Sequence, residues 1–185
     1  MSASDKSRTE PPQSGSDARP RTPESKVLDL FQAREWRQRC RRENRAVVLT
    51  NGCFDLLHRG HFEYLARARE CGDALLVAVN SDDSIAAIKG PNRPVLPQAD
   101  RVYQLASLEA VDVVLVFQEA NAIRVLETLQ PDVYVKGGDY DRNTINRDEC
   151  ALLQTMECRL EFVGHVPGLS TTDLIRRIRR LDDQS

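Results

Sequence analysis

The chain has no Cys-x-x-Cys pair, no long apolar run and almost no net charge, and each lack removes a class of protein. Its five cysteines (Cys40, Cys53, Cys71, Cys150, Cys158) are odd in number and scattered. Neither a zinc cluster nor a disulfide framework is expected, and reduced thiols in a cytoplasmic protein are the simplest account. A bilayer-crossing helix needs about 20 apolar residues, and no stretch approaches that. The first residues lack the apolar core of a secretory signal, and their acidic members argue against a transit peptide. A formal charge of −2 and a pI near 6.0 leave no electrostatic footprint for nucleic acid. Basic runs at 37–45 and 176–180 are expected to be solvated helix faces. Gly-x-Gly-x-x-Gly and Gly-x4-Gly-Lys-Ser/Thr are both missing, which excludes the dinucleotide fingerprint and the P-loop.

Residues 1–25 are Ser, Pro, Asp, Arg and Gly with almost nothing apolar. They cannot bury enough surface to offset chain entropy, so a disordered tail is predicted. A helix is expected over 26–43, within an N-terminal segment 26–45, with Val27, Leu30, Phe31 and Trp36 available for packing. The domain proper then spans 46–181. Apolar, β-branched runs at 46–50, 74–80, 113–117, 133–136 and 160–163 alternate with helical patterns at 61–70, 83–88, 98–108, 121–129, 148–156 and 171–181. That order predicts an α/β, Rossmann-like parallel sheet of about five strands with helices on both faces. In such sheets ligands bind beyond the carboxyl ends of the strands.

The segment beyond the first strand is Asn51-Gly52-Cys53-Phe54-Asp55-Leu56-Leu57-His58-Arg59-Gly60-His61. It places two of the three histidines where a strand hands over to a helix. A helix start offers unpaired N–H groups and the positive end of a dipole, which suits phosphate. Imidazoles there add donors that can follow charge building on a reacting phosphoryl group. His58 and His61, with His165, could alternatively bind zinc, or could serve as caps and packing groups. Gly52 fits a tight turn where backbone nears a ligand. Cys53 suits a backbone contact, since no base partner would make it a nucleophile.

Later motifs have chemical and plain readings alike. Lys89 begins Lys-Gly-Pro-Asn-Arg-Pro, a loop of turn formers that brings Lys89, and more weakly Arg93, toward phosphates or simply solvates both. Lys136-Gly137-Gly138-Asp139 permits close backbone approach, with Asp139 hydrogen-bonding a ribose hydroxyl or an adenine amine, or it is a plain turn. Ser170-Thr171-Thr172-Asp173 fits a capping box and also an anion site. Arg101 reads as an exposed helix residue, and His165 receives no role.

Taken in order, Thr50–Asp55, His58–His61, Val79–Asp82, Lys89-Gly90 with Arg93-Pro94, Leu108–Asp112, Val135–Tyr140 and Ser170–Thr172 resemble the cytidylyltransferase-like nucleotidyltransferases with a His-x-Gly-His motif. More closely, they resemble the adenylyltransferase half of the bacterial heptose-phosphate enzymes. The resemblance implies ATP and a sugar 1-phosphate as substrates, Mg²⁺ bridging the triphosphate, and no dedicated protein metal site. It implies catalytic roles for His58, His61 and Lys89. Nucleotide contacts are implied for Asn51, Gly52, Cys53, Phe54, Arg59, Gly60, Asp139, Ser170, Thr171 and Thr172. A homodimer, and a separate kinase that supplies the sugar phosphate, are implied too. A related enzyme using another acceptor, such as FMN or glycerol 3-phosphate, or another nucleotide, such as CTP or GTP, and a catalytically silent nucleotide-binding module, stay open on sequence grounds.

Overall fold

The computed structural model describes residues 21–138, 145–164 and 168–182. The apolar runs form β1 (Val47–Gly52), β2 (Ala74–Asn80), β3 (Val113–Phe117), β4 (Val133–Gly138) and β5 (Arg159–Gly164). All four neighbouring pairs are parallel, in the order β3-β2-β1-β4-β5. The order reverses between β1 and β4, so the crevice expected of an open α/β sheet falls beyond the ends of those two strands.

Residues alternate across the pleat, and each face has its own core. Val47, Leu49, Leu76, Leu115 and Tyr134 turn to one face and pack with helices α2 (Leu30–Arg42), α6 (Ile123–Leu129) and α7 (Arg147–Thr155). Val48, Leu75, Val77 and Val135 turn to the other and pack with α3 (Arg59–Glu70) and α5 (Gln98–Ala106). Leu49, Leu75 and Leu76 are fully buried, each contributing roughly 1.5–3 kcal/mol. Helices α4 (Asp82–Lys89) and α8 (Thr171–Asp182) stand near the carboxyl edge of the sheet through their site residues.

The single helix expected over 26–43 is instead two pieces. A short α1 (Pro23–Lys26) is capped by Thr22, and Asp29 starts α2 in a reciprocal capping box with Gln32. Between them Val27 bridges Val114 of β3, and the Leu28 N–H donates to the Val114 carbonyl at 2.9 Å. A β-branched residue beside an open sheet edge, followed by a strong N-cap, favours the break. Order thus begins before residue 26, while residues 1–20 of the expected tail lie outside the described residues.

Arg37 also departs from the solvated helix face. It is 3% exposed, and its guanidinium donates to the Gln130 carbonyl at 3.0 Å and to Asp132 at 2.8 Å. Asp132 in turn accepts the Val47 N–H at 2.6 Å. Arg37 therefore ties α2 to the turn before β4, a long-range pairing that charge composition does not reveal.

Candidate active site

The loop leaving β1 carries the signature and is shaped by close packing. Phe54 sits at φ 45°, and a Cβ placed on Gly52 would lie 3.0 Å from its ring. Glycine is what allows Phe54 to fold back over the strand end. His58 is extended and stands at the N-cap of α3. Its N–H donates to His61 Nδ1 at 3.3 Å, and the His61 N–H donates to the His58 carbonyl at 2.8 Å. The two imidazoles lie 4.0 Å apart between centroids. A Cβ on Gly60 would sit 3.0 Å from the His58 ring, so Gly60 lets that ring lie across the helix start.

These residues face a cleft of about 750 Å³ at the carboxyl edge of β1 and β4. Asn51, Gly52, Cys53, Phe54, His58, Gly60, His61, Lys89, Ser170, Thr171 and Thr172 all line it. Among the predicted site residues, Arg59 does not. Its side chain is 78% exposed and pairs with Glu63 at 2.6 Å, one helical turn on, so only its backbone belongs to the helix start. Asp139, Tyr140 and His165 lie outside the described residues. A second hollow of about 720 Å³ lies by the amino-terminal end of β4, and none of the signature residues lines it.

A second helix start closes the cleft. Ser170 Oγ accepts the Asp173 N–H at 3.0 Å and donates to Asp173 Oδ2 at 2.8 Å, the expected cap of α8. Lys89 is the last residue of α4 and is exposed. The chain then turns at Gly90, where φ is 94°, a conformation that favours glycine.

Two buried clamps hold the Lys89 loop against the signature loop. Asp55 is 2% exposed and accepts Arg93 Nε at 2.6 Å with the Val95 and Leu96 N–H groups at 2.8 and 3.0 Å. Arg93 lines the cleft, yet its guanidinium holds Asp55, so its first task is to fix the loop rather than to bind phosphate. Arg101 is not an exposed helix residue: it is 0% exposed. It donates to the carbonyls of Cys53 at 2.6 Å, Asn80 at 2.9 Å and Leu96 at 3.2 Å, and to Asp82 at 2.8 Å. Its spacing of one turn before the buried Leu105 was the available sign that it lies on the inward stripe of α5.

On the α7 side the cleft has a polar wall in which Asn51 meets Tyr134, Lys136 and Glu149, side chains to which the predicted site gave no role. Asn51 Oδ1 accepts from Tyr134 Oη at 2.7 Å and from Lys136 Nζ at 2.9 Å. Lys136 pairs with Glu149 at 3.1 Å, and both are buried. Burial pushes the Lys136 ammonium below its ordinary pKa, with the Glu149 carboxylate pulling it back up. Glu149 Oε1 also accepts the Ala122 N–H at 3.0 Å. No cluster of three His, Cys, Asp or Glu side chains is arranged to hold a metal among the described residues. Among them, too, no helix is long and apolar enough to cross a membrane.

Known proteins resemble both the sequence and the shape. The family model described as Cytidylyltransferase-like matches residues 49–177. The bifunctional protein HldE of Syntrophotalea carbinolica is 46% identical over 138 residues, 75% of this chain and 28% of that protein. HldE of Helicobacter pylori is 43% identical over 138 residues, again 75% of this chain and 29% of the relative. The chain thus spans less than a third of the length of these curated relatives. A lipopolysaccharide core biosynthesis protein from Thermoplasma volcanium superposes with a TM-score of 0.54 at 25% identity, over 66% of this chain and 97% of that one. The pantoate-β-alanine ligase of Francisella tularensis, complexed with β,γ-ATP and β-alanine, shares the fold with a TM-score of 0.51 at 14% identity, over 80% of this chain and 74% of its own. With a family match over most of its length and close relatives across three quarters of it, the chain belongs to the cytidylyltransferase-like family and is a nucleotidyltransferase.

Proposed function

We propose that the protein transfers AMP from ATP to a sugar 1-phosphate, D-glycero-β-D-manno-heptose 1-phosphate, giving ADP-heptose and pyrophosphate for surface-glycan precursors. The carrying observation is that two helix starts, one with His58 and His61 and one with Ser170 to Thr172, line one cleft with Lys89. Helix starts of this kind bind anions, and two of them with a cation suit a triphosphate. The sugar assignment draws on the order of motifs and on relatives that carry the name HldE.

In this mechanism an oxygen of the sugar 1-phosphate attacks the α-phosphorus. A new P–O bond forms as the bond from the α-phosphorus to the bridging oxygen of the β-phosphate breaks, and pyrophosphate leaves with that oxygen. The nucleophile is already anionic, so no strong base is needed. Catalysis is then positioning plus stabilisation of charge on the equatorial oxygens. His58 and His61 donate to those oxygens with the N–H groups of the α3 start. Lys89, on a loop fixed by Asp55 and Arg101, closes over the leaving phosphates. Ser170, Thr171 and Thr172 hold the β- and γ-phosphates, and Asp139 contacts the nucleoside. Mg²⁺ bound with the triphosphate would offset charge on the leaving phosphates, and no side chain of the described residues is assigned to hold it. A kinase supplies the sugar phosphate, a homodimer is the working assembly, and the cytoplasm, with its ATP, is the compartment.

The test is a screen of ATP, CTP and GTP against heptose 1-phosphate, other sugar 1-phosphates, glycerol 3-phosphate and FMN, read by pyrophosphate release. ATP with heptose 1-phosphate is expected to be the productive pair. Turnover with CTP and glycerol 3-phosphate alone, or ATP binding with no release from any acceptor, overturns the proposal.

A further inference from the structure

The polar wall beside α7 contains an ionic pair that the reaction above does not use. Lys136 and Glu149 are 8% and 2% exposed. Burying such a pair contributes little net stability compared with apolar residues of similar volume, so its place at the edge of a ligand cleft calls for another account. Its geometry supplies one. Ammonium nitrogens only donate, so the Asn51 atom 2.9 Å from Lys136 Nζ must be the amide oxygen. Tyr134 Oη lies 2.7 Å from that oxygen and 3.3 Å from Glu149 Oε2, and its one proton goes to the nearer acceptor, Asn51. The Asn51 NH₂ group is therefore turned away from Lys136, as a donor of fixed direction on a residue that lines the cleft.

We propose that Asn51 is a hydrogen-bond donor to the hydroxyl groups of the acceptor sugar, and that Lys136, Glu149 and Tyr134 are positioning residues that fix its polarity. The inference rests on the nucleotidyl-transfer reading given above and deepens it. In-line displacement sets the incoming oxygen opposite the departing pyrophosphate. The phosphate-holding helix start of α3 packs on one face of the sheet, whereas Asn51, Lys136 and Glu149 belong to the face covered by α7. The acceptor thus enters over the Asn51 side. Asn121, Asn146 and the Glu149 carboxylate line the same wall. The Lys136–Glu149 pair leaves that wall without net charge, so amides beside it suit neutral hydroxyls better than a phosphoryl group. Asn51 accordingly moves from the nucleotide, where the motif resemblance put it, to the sugar.

The experiment compares wild type, Asn51→Asp and Asn51→Ala. Asn51→Asp keeps an oxygen for Lys136 and Tyr134 while removing the donor, and Asn51→Ala removes the donor without adding charge. Thermal melting checks the fold. Affinity for a non-hydrolysable ATP analogue, KM for the sugar 1-phosphate and inhibition by methyl phosphate are then measured. Both variants are expected to raise the acceptor KM about 10- to 100-fold, the range for leaving a polar substrate group unmatched. ATP-analogue affinity stays within about twofold, because uniform loss of acceptor binding leaves nucleotide binding alone. An unchanged acceptor KM, or a larger loss in analogue affinity than in acceptor KM, overturns the proposal. Methyl phosphate inhibition that weakens as much as sugar binding assigns Asn51 to the phosphoryl group and overturns the hydroxyl assignment. If wild type releases no pyrophosphate with any sugar 1-phosphate, the parent reading fails and this one falls with it.

Discussion

Arg101 Nη1 lies 2.6 Å from the carbonyl oxygen of Cys53, joining the buried face of α5 to the middle of the signature loop. The same guanidinium reaches Asn80 at the end of β2 and Leu96 at the end of the Lys89 loop. One fully buried cation therefore sets three segments around the cleft against one another. A rigid first layer of this kind is what positioning catalysis needs.

Arg101→Met is expected to destabilise the protein by roughly 3–9 kcal/mol. Each buried carbonyl left without its donor costs about 1–3 kcal/mol, and three lose one, while the half-exposed Asp82 can turn to water. Urea denaturation followed by circular dichroism measures this. A loss under about 1 kcal/mol contradicts the clamp.

His61→Ala is expected to lower kcat by two to three decades, about 2.7–4 kcal/mol, as for removal of one preorganised donor to a developing charge. The variant should melt near wild type, since the hydrogen bonds described for His61 lie within the start of α3. Full turnover in a folded His61→Ala protein would falsify the catalytic role.

Gly60→Ala is expected to separate activity from stability. Alanine improves helix propensity by about 1 kcal/mol, but its Cβ would meet the His58 ring at 3.0 Å. The imidazole must shift by a few tenths of an ångström, so turnover should fall about tenfold while melting temperature holds or rises. Parallel assays of pyrophosphate release and thermal unfolding check the pair of signs.

Asp55→Asn keeps the size of the side chain but turns one oxygen into an NH₂ group. With its remaining oxygen on the Val95 and Leu96 N–H groups, that NH₂ confronts Arg93 Nε, donor against donor. The Lys89 loop should loosen, raising KM for ATP several-fold with a stability loss of roughly 1–3 kcal/mol. An unchanged KM for ATP removes Asp55 from the positioning of Lys89.

Burial pushes the Cys158 thiol from its ordinary 9.0 up to about 11. The folded pKa exceeds the unfolded one, so this contribution to stability is complete below pH 9. It is lost as the pH rises from about 9 through about 11, where the unfolded chain sheds its proton first. Cys158→Ala should flatten that part of the stability–pH curve, which denaturation at pH 8, 9.5 and 11 can read. An identical slope in both proteins would show that other groups carry the alkaline loss.

Much of this was legible along the chain because helices and strands declare themselves through local period. The five parallel strands, the His-x-Gly-His turn and the Ser170 cap follow from neighbours a few residues apart. The break at Val27 was missed since its cause is Val114, a partner far along the chain. Arg37 and Arg101 were misjudged for the same reason. A charged side chain looks solvated until the carbonyl or carboxylate that satisfies it comes into view.

By itself, then, the sequence determined the element types, the parallel sheet and the strand-to-helix turn proposed to bind phosphate, all set by periodicity and short-range hydrogen bonding. Tertiary structure alone decided the strand order that puts β4 beside β1, and with it the meeting of Asn51 with Lys136 and Glu149. It also decided which cations face the cleft and which brace it. Those outcomes depend on pairings between residues 48 or 85 positions apart, where burial and the need to satisfy every buried polar group choose the partner.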